Sequence, residues 1–305
     1  MPKGATAHVT LDLRKLEHFV HVADELNVTR AAQQLHLSQQ ALSTSIRHLE
    51  RELGVVLFDR AGRGISLTPA GAALLEVGRP LLAAAEAAVA WSREVGRGEA
   101  GRLRVGRTPA VTGEEAHAAL HDVQRHHPEA SLTVEEVYPA ALVRRLTDGD
   151  LDLGFARAMG VPAHLETAIV GRHRIRLAVA THHRLAGQEQ AGWDELAGEE
   201  LVVWAPPGVS GYTDVLLSRC REMGIHPRHR VSSLQGTPPV TAVAGSDSVA
   251  LVTAPRGPAA DGRTMVIDLV PGRCVPLQAI WLRHTTSRLR RALLEGLAAD
   301  PAPQS

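Results

Sequence analysis

The chain has 305 residues, too many for one ordinary domain of roughly 100–200 residues and enough to bury more than one core. Hydrophobic residues make up 44% and charged residues 22%, a globular composition. Lys+Arg and Asp+Glu both number 33, so bulk charge excludes any argument from net charge for a nucleic-acid partner, and that case rests on local placement.

Only Lys3 and Lys15 are lysines. Arg suits phosphate and base-edge recognition better than Lys, but acidic residues accompany the Arg throughout, and a compositional bias toward Arg and Ala explains the excess more simply. Cys220 and Cys274 form no metal-like CxxC spacing and read as free thiols in a reducing compartment. No apolar h-region opens the chain and no run of about 18 apolar residues follows, so a cytoplasmic chain with no membrane partner is expected. The sequon Asn27-Val28-Thr29 means nothing without secretion.

Leu13, Leu16, Phe19, Val20 and Ala23 recur at helical spacing, which predicts a helix over 12–25. Thr29 reads as the N-cap of a short helix over 30–35, and Ala31 and Ala32 are small enough for close helix packing. His36-Leu37 makes a tight turn. Ser38 caps a third helix to about Leu53, which Gly54 ends. On that helix Leu42, Ile46, Leu49 and Leu53 form a buried stripe. Off it lie Gln39, Gln40, Ser43, Thr44, Arg47 and Arg51, types that hydrogen-bond to base edges and phosphates. Two short helices joined by a tight turn, the second with a polar outer face, predict a helix-turn-helix, with Arg30 and Ser38 on its DNA side. Strand-like runs at 55–60 and 65–68 flank Ala61-Gly62-Arg63-Gly64. They predict a two-stranded wing with Arg63 at its tip and Arg60 beside it, able to contact phosphate or the minor groove.

Residues 13–71 resemble the DNA-binding domain of LysR-type transcriptional regulators. The matching residues are Leu16, Phe19, Ala31-Ala32, Leu35, Ser38-Gln39, Ser43, Ile46, Leu49-Glu50, Leu53-Gly54, Leu57-Phe58, Arg60, Leu67-Thr68 and Gly71. Gln40 departs from the family's usual Pro, which is favoured but not required in a first turn.

Thr68-Pro69 reads as N-cap and N1 of a long Ala- and Leu-rich helix to about Val95, with a kink or short break expected at Gly78 and Pro80. It is too apolar to stand alone. The resemblance implies that it pairs with its twin in a dimer; the alternative is packing against its own chain. Gly96 to Gly101 fits GxGxxG, but a helix precedes it and a strand follows, so it reads as a hinge rather than a dinucleotide loop. The expected domains are 10–68 (winged helix-turn-helix), 69–98 (linker helix) and 99–300.

Beyond residue 101, strand-like runs lie at 103–107, 132–137, 151–156, 175–180, 201–204, 249–253, 265–269 and 277–282. Helix-like runs lie at 114–126, 140–147, 212–223, 239–244 and 287–298. This alternation predicts an α/β domain with a mostly parallel sheet in two lobes. The segment resembles the family's effector-binding domain, itself similar to periplasmic solute-binding proteins, through Gly101-Arg102-Leu103-Arg104-Val105-Gly106, His127-Pro128, Leu151-Asp152-Leu153-Gly154-Phe155 and His183-Arg184-Leu185-Ala186. Thr108, ending the first strand, suits a carboxylate. Arg157, ending the strand over 151–156, is a candidate anion clamp; an ordinary salt-bridge Arg is the competing reading. Phe155-Ala156-Arg157 is similar to a stretch in family members that sense aromatic acids or their breakdown products. Tyr212, Gln235 and Thr237 take corresponding positions in the other lobe.

His126-His127 and His182-His183 lack a third ligand, so no metal is expected, and no cofactor or catalytic residue stands out. Cys220 lies between Arg219 and Arg221, which would lower its pKa and admit a redox role, though a lone cysteine is more often inert. An enzyme built on the second domain lacks GxSxG, HExxH or P-loop patterns, and a transport-type binding protein lacks an export signal. Neither these nor a head serving dimerisation alone explains the polar helix face. The reading is a transcription regulator, no enzyme, with a small organic anion as effector. Its partners are an inverted-repeat operator, a second copy of itself as homodimer or homotetramer, and RNA polymerase.

Overall fold

The computed structural model describes residues 11–59, 65–97, 101–233 and 239–299. The wing residues Arg60 and Arg63, the cleft candidates Gln235 and Thr237, and residues 98–100 of the expected hinge lie outside the described residues.

The head is built from α1 (Leu13–Glu25), α2 (Val28–Gln34) and α3 (Gln39–Leu53), followed by β1 (Phe58–Asp59) and β2 (Ser66–Leu67) in antiparallel register. Asp12 caps α1, and the Asn27 side chain caps α2 by accepting from the Thr29 and Arg30 amides. This corrects the expectation of Thr29 as cap: the Asn oxygen, two residues earlier, reaches two orphan amides, and Asn is the stronger N-cap. Ser38 caps α3 through the Ala41 amide, and Gly54 closes it at φ +69°, as its sequence spacing predicts. Leu16, Phe19, Ala31, Leu42, Ile46 and Leu49 form the head core, and Leu53 at the end of the stripe is only partly buried.

The linker α4 (Pro69–Arg97) spans 29 residues, about 44 Å at 1.5 Å per residue. Thr68 starts it: its hydroxyl accepts from the Gly71 amide and donates to the Val56 carbonyl. The expected break at Gly78 and Pro80 is absent; the helix assignment runs unbroken through both. Proline removes one hydrogen bond, and here packing holds the segment: Leu74, Leu75 and Leu82 rest on the head core. Gly78 is small for a reason, since a Cβ there would lie 2.9 Å from Leu16 Cδ1. Arg79 pairs with Asp24 of α1 and, at 3.7 Å, with Asp148.

The second domain runs β3 (Arg102–Arg107), α5 (Gly113–His126), β4 (Ser131–Glu136), α6 (Pro139–Thr147), β5 (Leu153–Ala156), β6 (Leu165–Arg174), β7 (Arg176–Ala180) and β8 (Gln190–Gly192). It continues through β9 (Glu200–Val203), α7 (Gly211–Glu222), β10 (Arg228–Val231), α8 (Pro239–Ala242), β11 (Ala250–Val252), β12 (Gly257–Ala259), β13 (Thr264–Val270), β14 (Cys274–Leu282) and α9 (Arg288–Ala299). Lobe 1 carries a sheet of order β4-β3-β5-β14-β6. Lobe 2 carries β11-β7-β13-β12 with β8 on β13, and the β10-β9 pair. The sheets are mixed, which corrects the mostly parallel expectation. The chain crosses between lobes after β6 and returns after β13, and β14 therefore enters lobe 1 antiparallel to both β5 and β6. Lobe 1 packs Leu103, Val105, Leu153 and Phe155 under α5 and α9 on one face; on the other, Leu142 and Leu146 of α6 meet Ala83 of the linker. Lobe 2 packs Leu177, Val179, Leu251 and Ile267 around Trp193, Leu216 and Cys220.

A Cβ on Gly71 would stand 2.1 Å from the Leu57 carbonyl oxygen, a backbone atom that cannot swing aside, whereas one on Gly96 meets nothing within 4 Å. Gly71→Ala is expected to destabilise the head by about 1–3 kcal/mol, and Gly96→Ala to be neutral or to stabilise by up to about 1 kcal/mol. Thermal unfolding followed by circular dichroism separates the two.

Candidate DNA interface and effector cleft

On α3 the side chains divide cleanly. At about 100° per residue, Gln39, Gln40, Ser43, Thr44, Arg47 and Arg51 share one arc of about 140°, centred about 120° away from the buried leucine and isoleucine stripe. All are exposed except Ser43, which is half-buried. Arg47 Nη2 donates to Thr44 Oγ1 at 3.2 Å, which extends the guanidinium along the helix surface. Ser38, exposed, carries the cap. Arg30 is exposed on α2 with Nε 3.5 Å from Glu25 Oε2, a solvent-screened pair that a phosphate can replace. The structure therefore brings Arg30, Ser38, Gln39, Gln40, Ser43, Thr44, Arg47 and Arg51 onto the α2–α3 surface of the head.

The cleft between the lobes encloses a cavity of about 600 Å³, lined by Thr108 and Arg157 of lobe 1 and by Trp204 and Tyr212 of lobe 2, among others. Thr108 sits where β3 ends. It is 3% exposed, and its Oγ1 has no hydrogen-bond partner. Tyr212 is in the first turn of α7, and burial pushes its phenol up to about 12. Residues at the N-termini of both α6 and α7 line the space.

Arg157 reaches the cavity wall, but its guanidinium is held by the protein. Nε donates to the Ala110 carbonyl at 3.0 Å, Nη1 to the Pro276 carbonyl at 3.3 Å, and Nη2 to Glu115 Oε1 at 2.6 Å. In this arrangement it braces the join between α5, β5 and β14, the salt-bridge role weighed against the clamp. The sequence reading missed its partners. Glu115 was visible as the fourth residue of a Thr112-x-x-Glu115 capping box, and the box forms: Glu115 Oε2 accepts from the Thr112 amide at 2.9 Å. Its other oxygen takes both Arg157 and His173 Nδ1, the latter at 2.5 Å. Burial alone would raise the Glu115 pKa, but the hydrogen bond from His173 and the Arg157 charge outweigh it and hold the carboxyl at about 2. Trp204 was also missed; one Trp at a strand end carries no local signal.

Cys220 lies in the lobe 2 core, and burial pushes its thiol up to about 11, opposite to the shift expected from Arg219 and Arg221. Arg219 is engaged by Glu222 at 2.8 Å. Among the described residues no group of three or more His, Cys, Asp or Glu side chains is placed to hold a metal, and no helix is long and apolar enough to cross a membrane.

Glu115→Gln leaves the Arg157 guanidinium, 0% exposed, without its counter-charge, a loss of about 3–5 kcal/mol near neutral pH. Because the folded pKa is depressed from 4.5 to about 2, the Glu115 contribution is complete above about pH 4.5 and fades as pH falls toward 2. Urea unfolding from pH 7 to pH 2 is expected to show the gap between wild type and variant closing over that window.

These two surfaces match known proteins. The model for the bacterial regulatory helix-turn-helix protein, lysR family, matches residues 13–72, and that for the LysR substrate binding domain matches residues 96–300. The HTH-type transcriptional regulator TfdS of Cupriavidus pinatubonensis (strain JMP 134 / LMG 1197) is 33% identical over 220 residues, 72% of this chain and 74% of that one. BudR of Raoultella terrigena is 30% identical over 247 residues, 79% and 84% of the two chains. The fold superposes on CbnR, a LysR family transcriptional regulator, with a TM-score of 0.65 at 23% identity, covering 96% of this chain and 100% of that one. It superposes equally, at 0.65 and 25% identity over 95% and 99%, on full-length CbnR complexed with its target DNA. The relatives are transcription regulators rather than enzymes. The chain belongs to the LysR family of DNA-binding transcription regulators, with a helix-turn-helix head and an effector-binding domain.

Proposed function

We propose that the α3 face reads one half-site of an inverted-repeat operator and that a small organic anion, bound in the cleft, sets the arrangement of the heads. The observation that carries this reading is the division of α3 itself, with Leu42, Ile46 and Leu49 packed inward and Gln39, Gln40, Thr44, Arg47 and Arg51 left exposed. Gln pairs bidentately with adenine and Arg with guanine, each good pair discriminating by about 1–3 kcal/mol. Arg30, Ser38 and the wing residues Arg60 and Arg63 supply phosphate and minor-groove contacts.

A single head presents one recognition helix, so an inverted repeat requires a second copy. The linker supports that pairing: Val77, Leu81, Trp91 and Val95 are exposed along α4, an apolar stripe suited to a twin helix in a homodimer or homotetramer. In the cleft, Thr108 and Tyr212 face the effector, Gln235 and Thr237 are kept as further candidate contacts, and Arg157, neutralised by Glu115, holds the wall in shape. Effector binding biases the lobes between two arrangements, and the linker passes the change to DNA bend or RNA polymerase contact.

The test is fluorescence anisotropy of the full-length protein on its own upstream intergenic DNA across a salt series, beside a scrambled duplex. Native DNA is expected to bind far tighter than the scramble, with affinity falling steeply as salt rises. Arg47→Ala is expected to lower affinity for the native duplex by about tenfold or more while leaving the scramble's curve in place. Equal, weak binding of both duplexes refutes α3 as a reader of this DNA.

A further inference from the structure

Glu50 stands where an acid is disfavoured. It lies in the last turn of α3, at the negative end of the helix dipole, where a cation is favoured. Four backbone amides converge on it. Its carbonyl accepts from the Gly54 amide, which closes the helix, and from the Val55 amide at 3.1 Å. Its carboxylate Oε1 accepts from the Leu57 amide at 2.8 Å and from the Phe58 amide at 3.4 Å. Leu57 and Phe58 are both buried, so an amide left unpaired there carries its full desolvation cost.

Leu57 leads into β1 and Phe58 opens it, and Arg60 follows β1 directly in the sequence. The same stretch is tied to the start of α4. The Leu57 carbonyl accepts from the Thr68 amide at 3.0 Å, and the Thr68 hydroxyl donates to the Val56 carbonyl at 2.7 Å. The Phe58 ring meets Phe19 of α1, with centroids 5.3 Å apart. Thr68 and Phe19 thus fix where β1 sits on the core, and the Glu50 carboxylate ties it to the helix whose polar face is exposed.

We infer that Glu50 is a positioning residue for DNA binding: its carboxylate sets the wing against α3, so that α3 and the wing arginines Arg60 and Arg63 meet the duplex as one unit. The inference rests on the wing contacting DNA as proposed above. Groups held in place before binding lose less freedom when they bind. Without the tie, β1 keeps its seat on the core but pivots. The loss then falls on phosphate and minor-groove contacts, while base reading by α3 persists. Reach decides the tie more than charge does. Glu and Gln carry an acceptor oxygen equally far from the backbone, whereas Asp falls one methylene short.

Full-length Glu50→Asp and Glu50→Gln are titrated against the native and scrambled duplexes across a salt series, with the active fraction of each preparation fixed by stoichiometric titration. Glu50→Asp is expected to bind both duplexes about tenfold more weakly and to keep the wild-type ratio between them. Its slope of log affinity against log salt is expected to flatten by up to about 2, the share of two arginines. Glu50→Gln recovers most of the affinity and of the slope. Removing the arginines together (Arg60→Ala with Arg63→Ala) weakens wild type but adds little to Glu50→Asp. Any result in which Gln fares no better than Asp overturns the inference. So does a loss in Glu50→Asp confined to the native duplex at unchanged slope, which places the defect in α3. An arginine removal that costs Glu50→Asp as much as it costs wild type overturns it too. If that removal leaves wild type unchanged, the wing reading fails and the inference falls with it. The slopes and the arginine comparison are read on both duplexes, so a failure of α3 to prefer the native one is distinct from a failure of Glu50.

Discussion

A carboxylate and a guanidinium, both removed from water and 2.6 Å apart, sit where α5, β5, β6 and β14 of the second domain meet. Glu115 comes from the first turn of α5, Arg157 from the end of β5, His173 from β6, and the carbonyls of Val275 and Pro276 from the start of β14. The two segments that join the lobes, β6 and β14, are thus pinned to the same point. Burying either charge alone is strongly unfavourable, so the four elements hold together as a set. The same pair decides the character of the cleft. With Arg157 neutralised from behind, no free side-chain charge faces the cavity among the described residues, and selectivity passes to neutral donors and helix ends, which are directional.

The head was legible because its signals are local. The α3 stripe, the Ser38 cap and Gly54 at positive φ are each determined within a few residues of sequence. Even the error there was short-range: Asn27 displaced Thr29 as cap by two residues. In the second domain, the central strands were legible as apolar runs, but β6, β8, β10 and β12 were not. β6 buries only Leu165 and His173, with half-buried and exposed positions between them and charged residues towards both ends, and so lacks a long apolar run. Strand direction was illegible for a different reason: antiparallel entry of β14 follows from a return of the chain after about a hundred residues, and no local pattern encodes it. The cleft was half legible. Thr108 and Tyr212 could be placed by strand and helix ends, whereas the Arg157 partners and Trp204 come together only through tertiary structure.

The linker ties these halves mechanically. α4 contributes Leu74, Leu75 and Leu82 to the head core and Ala83 to the lobe 1 core, so adjacent residues serve two bodies. Arg79, one residue before Pro80, reaches Asp24 on the head side and Asp148 beside α6 on the other. A shift of α6, whose first turn lines the cleft, acts on Asp148 at its far end and thereby on the helix that carries the head.

The position of β14 has a consequence for biosynthesis. It lies between β5 and β6 in the lobe 1 sheet, yet it leaves the ribosome after every other described strand. Lobe 2, encoded by one continuous stretch from β7 to β13, has its whole sequence available before lobe 1 does. During translation the nascent chain therefore carries a finished head and a finished lobe 2 flanking a split sheet, whose exposed central slot accepts only residues 274–282. Until that strand arrives, β5 and β6 present open edges, and the interval before residues 274–282 emerge is when these edges need a chaperone's cover.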